Sequence, residues 1–402
     1  MLPFTGGKTV TKIMILGAGI YQVPLIETAK KMGLYTIVVS IPGNYPGFAL
    51  ADKVYYENTV DEDKILEIAK KERIKGIVTA GTDVCMKTVG RVCDAMGLNG
   101  LSYEASKVAV DKMLMKSRYE EYGVRTARFR QVSFADTDIK KTVKELTFPL
   151  IFKSVDSSGS RGIIRVDSFE EFDSAVAYVK ENTRKDYFLV EEFIEGEEFG
   201  AQAFAYDGNV SFILPHGDYV YHGDTGVPIG HYAPYNLSEE VIEDAKIQLR
   251  RAVKAMGLDN CAINADFILK DGKTYVLEIG GRCGATCLAE LVSIYYGFDY
   301  YEKILRTALD EDPDFTFKKP HTPNASHLLM SQKDGVIKSI QNLNEDNDNI
   351  CEVHFDYKPG DEVHKFHVGP DRIGHIITKG ETLEEAQDLL FKAMDNIKIE
   401  VE

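Results

Sequence analysis

The segment Asn264-Ala-Asp-Phe-Ile-Leu-Lys-Asp-Gly-Lys-Thr-Tyr-Val-Leu-Glu-Ile-Gly-Gly-Arg282 constrains the fold more than any other stretch of this chain. Two apolar runs flank a Lys-Asp-Gly-Lys turn, the pattern of a β-hairpin. Each arm carries one carboxylate, Asp266 and Glu278, among apolar neighbours. A carboxylate in such a strand is costly unless it is paired or binds a metal. Side chains alternate faces along a strand, so the length of the loop decides whether the two acids meet. A two-residue Asp-Gly turn pairs Leu277 with Asp266 and sends Glu278 to the opposite face. A three-residue loop, with Gly272 in the left-handed conformation, puts both acids on one face with Glu278 diagonal to Asp266. We therefore expect the three-residue loop and a shared hard cation. Oxygen-only ligands favour Mg²⁺ or Mn²⁺. On the hairpin alone, two acids at a solvent-facing end is the plainer alternative.

The 402 residues are enough for two to four folding units. A 44% apolar and 27% charged composition is that of a soluble globular protein. The balance of 47 basic and 63 acidic residues gives a net charge of −16, which disfavours nucleic acid and anionic membrane as partners. An anionic substrate would need a local basic pocket, with metal help. No apolar run approaches the ~18–20 residues of a membrane span, and the start lacks a signal-peptide core. Six sparse cysteines (Cys85, Cys93, Cys261, Cys283, Cys287, Cys351) indicate reduced thiols in a cytoplasmic protein. Cys283 and Cys287 have no second pair, so they do not read as a zinc site; Cys283 has no neighbouring histidine and reads as structural.

Apolar runs at 12–16 and 36–40 enclose a helical pattern from Pro24 to about Met32. The first turn is Gly17-Ala-Gly19. Further helix and strand signals at 61–72, 76–79 and 83–96 continue a parallel α/β unit. A dinucleotide fingerprint is rejected because Gln22 stands where the third glycine should be, and Ser40-Ile41-Pro42 replaces the ribose-binding acid. A small substrate group fits better, near Gly17 to Gln22 and near Gly81-Thr82-Asp83. An amphipathic helix is expected over 111–122, and a strand ends at Lys153 before the loop Ser154 to Gly162. A strand at 163–166, a helix at 168–182 and a strand at 187–194 follow. Strands at 199–206 and 210–214 precede a Gly-, Pro-, His- and Tyr-rich stretch, 215–236, which reads as a substrate-facing loop. Helices at 238–256 and about 286–296 flank the hairpin. Residues 310–324 read as a linker, and the tail carries strands and a helix at 382–396.

The loop residues Ser157, Ser158, Gly159 and Ser160 can cradle phosphate oxygens through backbone N–H groups and hydroxyls, and Arg161 can reach a β- or γ-phosphate. A flexible surface loop explains them as well. Lys153 is placed to contact an α- or β-phosphate, or to snorkel at the surface. Glu191, Glu192, Phe193 and Ile194 form a strand end suited to an adenine edge, with Glu198 able to accept from ribose hydroxyls. His216, His222 and His231 are candidate substrate contacts, with zinc the weaker alternative.

The order lysine helix, lysine strand, Ser/Gly loop, acidic hinge, Asp/Glu hairpin, arginine resembles the ATP-grasp superfamily, in particular its carboxylate–amine ligases. The tail, with Gly369-Pro-Asp-Arg-Ile-Gly-His375, resembles the L-amino-acid ligase branch; phosphoribosylglycinamide synthetase and carbamoyl-phosphate synthetase share the layout. The resemblance implies α/β and α+β classes: a Rossmann-like α/β domain over 1–108, an ATP-grasp domain over 109–312 with a lid at about 125–195, and a C-terminal segment over 313–402. It implies Lys112 and Lys153 at the phosphates and adenine, the serines in the lid, and Glu191, Glu192 and Ile194 at the adenine. It also implies Glu198 at the ribose, Asp266 and Glu278 on Mg²⁺, and Arg282 facing the γ-phosphate or the acyl-phosphate; Arg161, from its place in the loop, is taken with Arg282 as a catalytic cation. Gly19, Thr82, Asp83, His231 and Gly281 are taken as substrate contacts. Many members read Glu-x-Asn-x-Arg, where this chain has Glu278-Ile-Gly280-Gly-Arg282, which leaves a second metal ion with one ligand fewer. The implied reaction activates a carboxylate with ATP to an acyl-phosphate, which an amine then displaces. A nucleotide-binding subunit of a larger synthetase is the competing reading, and a homodimer is compatible with either.

Overall fold

The computed structural model describes residues 10–157, 162–223 and 226–402. The chain begins with a four-stranded parallel sheet. Its strands Lys12–Leu16, Tyr35–Ser40, Lys53–Tyr56 and Gly76–Val78 are interleaved with the helices Val23–Lys31 and Glu62–Glu72. Ile13, Ile15 and Val38 face one apolar layer, and Met14, Leu16, Ile37 and Val39 face another. Burial on both faces is what a continuous apolar run in a parallel strand requires. Asp61 caps the second helix by accepting from the Lys64 N–H.

A small antiparallel sheet follows, in the spatial order Phe129–Ser133, Tyr187–Glu192, Leu150–Lys153, Ile163–Val166. Helix Phe172–Glu181 covers it with Phe172, Ala175 and Val179.

The body is an eight-stranded sheet. Its order is Lys273–Gly280, Cys261–Lys270, Glu197–Tyr206, Asn209–Val220, Pro228–Ala233, Asn324–Met330, Arg372–Lys379, Ile350–Phe355. Helix Glu239–Met256 packs one face with Ala245, Leu249, Ala252 and Val253 against Ala203, Ile263 and Phe267. Ser238 opens that helix and left-handed Gly257 closes it. The last helix, Leu383–Asp395, starts with a capping box between Thr382 and Glu385.

Three expectations change. The hairpin turn has two residues, not three: Lys270 pairs Lys273, and Asp271 and Gly272 take φ of 50° and 70°. Two positive φ values define the type I′ turn that matches strand twist. The parity is restored by a bulge. Phe267 pairs Val276 but Asp266 pairs Glu278, so Leu277 is the extra residue. Both acids share a face, directly opposite each other rather than diagonal. Secondly, most of 215–236 is not a loop. Asn209–Val220 continues through Pro215 and Gly217, and Pro228–Ala233 pairs on both sides. Thirdly, the helix Tyr300–Ala308, which no sequence signal singled out, precedes the linker.

Replacing Gly272 tests the turn. A Cβ there meets nothing within 4 Å, so only backbone strain opposes it. We expect Gly272→Val to cost about 1–3 kcal/mol in urea unfolding. An unchanged midpoint argues against the left-handed turn.

Candidate active site: a cleft lined by lysines and acids

The Asp266–Glu278 pair stands on the cleft face of the body sheet, with the Lys112 Nζ 3.2 Å from Glu278 Oε1. Asp111 opens the lysine helix Lys112–Glu121 by accepting from the Met113 and Leu114 N–H groups. Lys112 Nζ also donates to the Ser157 carbonyl at 2.6 Å, so it links the hairpin to the start of the Ser/Gly loop. The Asp266 side chain is exposed, yet protein surrounds it closely enough to desolvate its carboxylate. Burial by the surrounding protein, then the charge of Glu278, pushes its pKa up to about 7. Two opposed carboxylates with this electrostatic penalty fit a cation.

Lys153 Nζ lies 2.5 Å from Glu191 Oε2, and Lys116 Nζ lies 2.7 Å from Glu191 Oε1. Lys116 is one helical turn after Lys112 and was not anticipated; the i, i+4 spacing of two lysines was the available signal. Burial alone would raise the Glu191 pKa, but the two ammonium groups hold it down at about 2. Burial lowers the Lys116 pKa more than Glu191 raises it. At Lys153 burial also acts to lower the pKa, but the charge of Glu191 outweighs it and the pKa rises. Glu191 thus fixes both lysines at the cleft wall.

Strand alternation sends Glu192 the other way. It pairs with Arg128 at 2.9 Å and accepts from the Thr147 N–H. Phe193 stacks under the Arg165 guanidinium, 4.6 Å from the ring centre. Ile194 joins Ala127 and Ile268, with Tyr275 and Leu277 packed against them, in an apolar patch beside the hairpin. Glu198 is exposed on the strand opposite Ile268. Ser157 donates its hydroxyl to the Asn182 carbonyl. Ser158, Gly159, Ser160 and Arg161 lie outside the described residues.

Arg282 forms a two-pronged pair with Asp83, Nε to Oδ1 at 2.9 Å and Nη2 to Oδ2 at 2.6 Å. This joins the hairpin's end to the loop after Gly76–Val78. Burial acts to lower the Arg282 pKa, but Asp83 outweighs it and raises it. Thr82 borders the same loop and accepts from the Val84 N–H. Gly19 donates its N–H to the Gln22 side chain at 2.9 Å. Gly281 is buried, its Cα facing Leu258 and Leu101. A Cβ at Gly280 would come within 3.1 Å of Asp83 Oδ1. Directly opposite Gly280 stands Asn264, two residues before Asp266 and on the same face. His231 meets Asp218, a residue the sequence did not mark. His222 has no described grouping of this kind. Cys283 is fully buried, and burial raises its thiol pKa to about 11.

A nucleotide-dependent ligase is the class that this sheet, lysine wall and acidic hairpin define. A family model described as the ATP-grasp domain matches residues 146–290, and one described as L-amino acid ligase C-terminal domain 2 matches 327–402. The chain is 37% identical to the phosphoribosylglycinamide synthetase of Anaerococcus prevotii, with a TM-score of 0.86 over 98% of this chain and 100% of that one. The L-amino acid ligase of Bacillus licheniformis shares the fold, at TM-score 0.79 and 21% identity over 98% and 100% of the two chains. A formate-dependent phosphoribosylglycinamide formyltransferase of Hydrogenovibrio crunogenus is 24% identical over 81% of this chain and 82% of its own length. The chain belongs to the ATP-grasp superfamily and, within it, to the ADP-forming carboxylate–amine ligases. Among the described residues, no helix is long and apolar enough to cross a membrane.

Proposed function

We propose that the cleft binds ATP between the small antiparallel sheet and the hairpin, and that the bound nucleotide activates a small carboxylate for attack by an amine. The observation that carries this reading is the alignment of Lys112 and Lys153 with the opposed Asp266 and Glu278. Ile194 and Leu277 offer the apolar surface for an adenine, and Glu198 a carboxylate for ribose hydroxyls. Asp266 and Glu278 would hold Mg²⁺ or Mn²⁺. Such a cation neutralises phosphate charge when bound. The Asn264 carboxamide lies on the same face, opposite Gly280, with its Oδ1 accepting from Gln202 Nε2 at 2.6 Å.

The chemistry balances as two transfers. A carboxylate oxygen bonds to the γ-phosphorus while the bond to ADP breaks, and its electron pair leaves with ADP. The amine nitrogen then bonds to the acyl carbon, phosphate departs, and the amine proton passes to solvent. Lys112 and Lys153 offset charge that builds on the transferring group, and Arg282 stands at the acyl end, held there by Asp83. Positioning supplies most of the rate.

ADP release tests the reading. We expect release that requires a carboxylate, an amine and Mg²⁺ together. Asp83→Asn should lower kcat on the order of tenfold to a hundredfold by loosening Arg282, with ATP affinity within twofold. Turnover indifferent to every acceptor in a broad panel would overturn it.

A further inference from the structure

Asp218 sits at the centre of a hydrogen-bonded cluster that the reaction described above does not use. His216 Nδ1 lies 3.0 Å from its Oδ1, and His231 Nδ1 lies 2.7 Å from the same oxygen. Both rings are 3% exposed, whereas Asp218 keeps 31% of its side chain open to solvent. The protons in this cluster can be assigned. Gln202 Oε1 accepts from the Gly284 N–H at 2.9 Å, which turns its amide nitrogen toward Asn264 Oδ1 at 2.6 Å and His216 Nε2 at 3.4 Å. His216 Nε2 is therefore an acceptor, and its Nδ1 carries the proton and donates to Asp218. An ionised carboxylate only accepts, so His231 donates from Nδ1 as well. Burial acts to raise the Asp218 pKa, but His231, then His216, outweigh it and hold the carboxyl well below the usual range.

The same assignment argues against a metal ion between these side chains. A metal on His216 Nδ1 would place the ring proton on Nε2, facing the Gln202 amide hydrogens.

The cluster adjoins the cleft. Gly200 pairs with Asp266 on one side and His216 on the other. A Cβ at Gly200 would lie 2.1 Å from the His216 ring, so only glycine lets that ring lean across toward Asp266. A fixed third anion beside an acidic pair repels a bare formate or bicarbonate and attracts an ammonium group.

We propose that Asp218, braced by His216 and His231, is the subsite for the ammonium group of the carboxylate substrate, which is therefore an α-amino acid. This rests on the ligase reading. It deepens that reading by separating substrates of the L-amino acid ligase kind from those of the formate-dependent relative.

Hydroxylamine can replace the unknown amine and trap the acyl-phosphate as a coloured hydroxamate. The panel is glycine, L-alanine and L-serine against acetate, propionate and formate, with ADP release measured in parallel. We expect kcat/KM at least 100-fold higher for one or more of the amino acids than for its des-amino counterpart. Asp218→Asn should lose at least 100-fold on that amino acid while Mg-ATP affinity, by titration calorimetry, stays within twofold. Asp218→Glu, which keeps the charge, should recover at least tenfold of that loss, and this recovery separates the role from simple misfolding. Preference for acetate, propionate or formate overturns the proposal, as does amino-acid turnover that survives Asp218→Asn. One Zn²⁺ bound per chain and lost in His231→Ala, with amino-acid preference unaltered in Asp218→Asn, overturns it in favour of a metal centre. Absence of ADP release with every carboxylate, across the panel and beyond, removes the ligase reading itself and this subsite with it.

Discussion

Glu278→Gln is expected to lower kcat for carboxylate-dependent ADP release on the order of 10³-fold, about 4 kcal/mol of transition-state stabilisation. The reason is geometric as well as electrostatic. Glu278 is the residue that both opposes Asp266 and reaches Lys112, so its charge would balance a bound cation on one side and balances an ammonium on the other. The amide keeps the shape of the side chain and removes that charge. Calorimetry with Mg-ATP should show weaker nucleotide binding, and raised Mg²⁺ should recover part of the rate. A Glu278→Gln enzyme that retains more than a tenth of wild-type kcat would remove the hairpin from the proposed site.

Glu191→Ala is expected to destabilise the protein by about 3–5 kcal/mol, because it strips the partner from two buried lysines. Glu191 and Lys116 are each 2% exposed, and Lys153 is 15% exposed. The remaining lysines must then either deprotonate or draw water into the wall. Urea unfolding followed by tryptophan is not available in a chain without that residue, so far-UV circular dichroism is the suitable probe. Adding Lys116→Met to Glu191→Ala should recover part of the loss, since one uncompensated charge disappears. Additive losses in the double variant would show that the two side chains do not act as a unit.

Much of the fold is legible from local pattern. The expected strand at 12–16 and helix at 61–72 match Lys12–Leu16 and Glu62–Glu72 within a residue, because apolar periodicity and an Asp cap act locally. The difficult places are those where distant partners decide. Pro215, Gly217 and Gly230 argue for a loop by composition, yet Asn209–Val220 and Pro228–Ala233 are held as strands by neighbours on both sides. The bulge at Leu277 has no sequence mark, since leucine suits a regular strand equally well. The shared face of Asp266 and Glu278 was expected through a longer loop, and the chain reaches it by an extra residue in the arm. Among candidate site residues, Lys112, Lys153, Asp266 and Glu278 were visible as charges in otherwise apolar or capped contexts. Asp218 was not, because its meaning depends on two histidines that are brought to it by a pairing between strands.

The eight-stranded sheet carries a further implication for how such a chain can be altered. The Pro228–Ala233 strand is flanked on one side by Asn209–Val220 and on the other by Asn324–Met330, so the tail's hydrogen bonds run through the interior of the sheet. Exchanging the tail with that of a relative is thus a graft in the middle of a woven layer, not the swap of a cassette at a seam. A chain ended before Asn324 would expose a row of unpaired backbone groups beside His231, the very strand that braces Asp218.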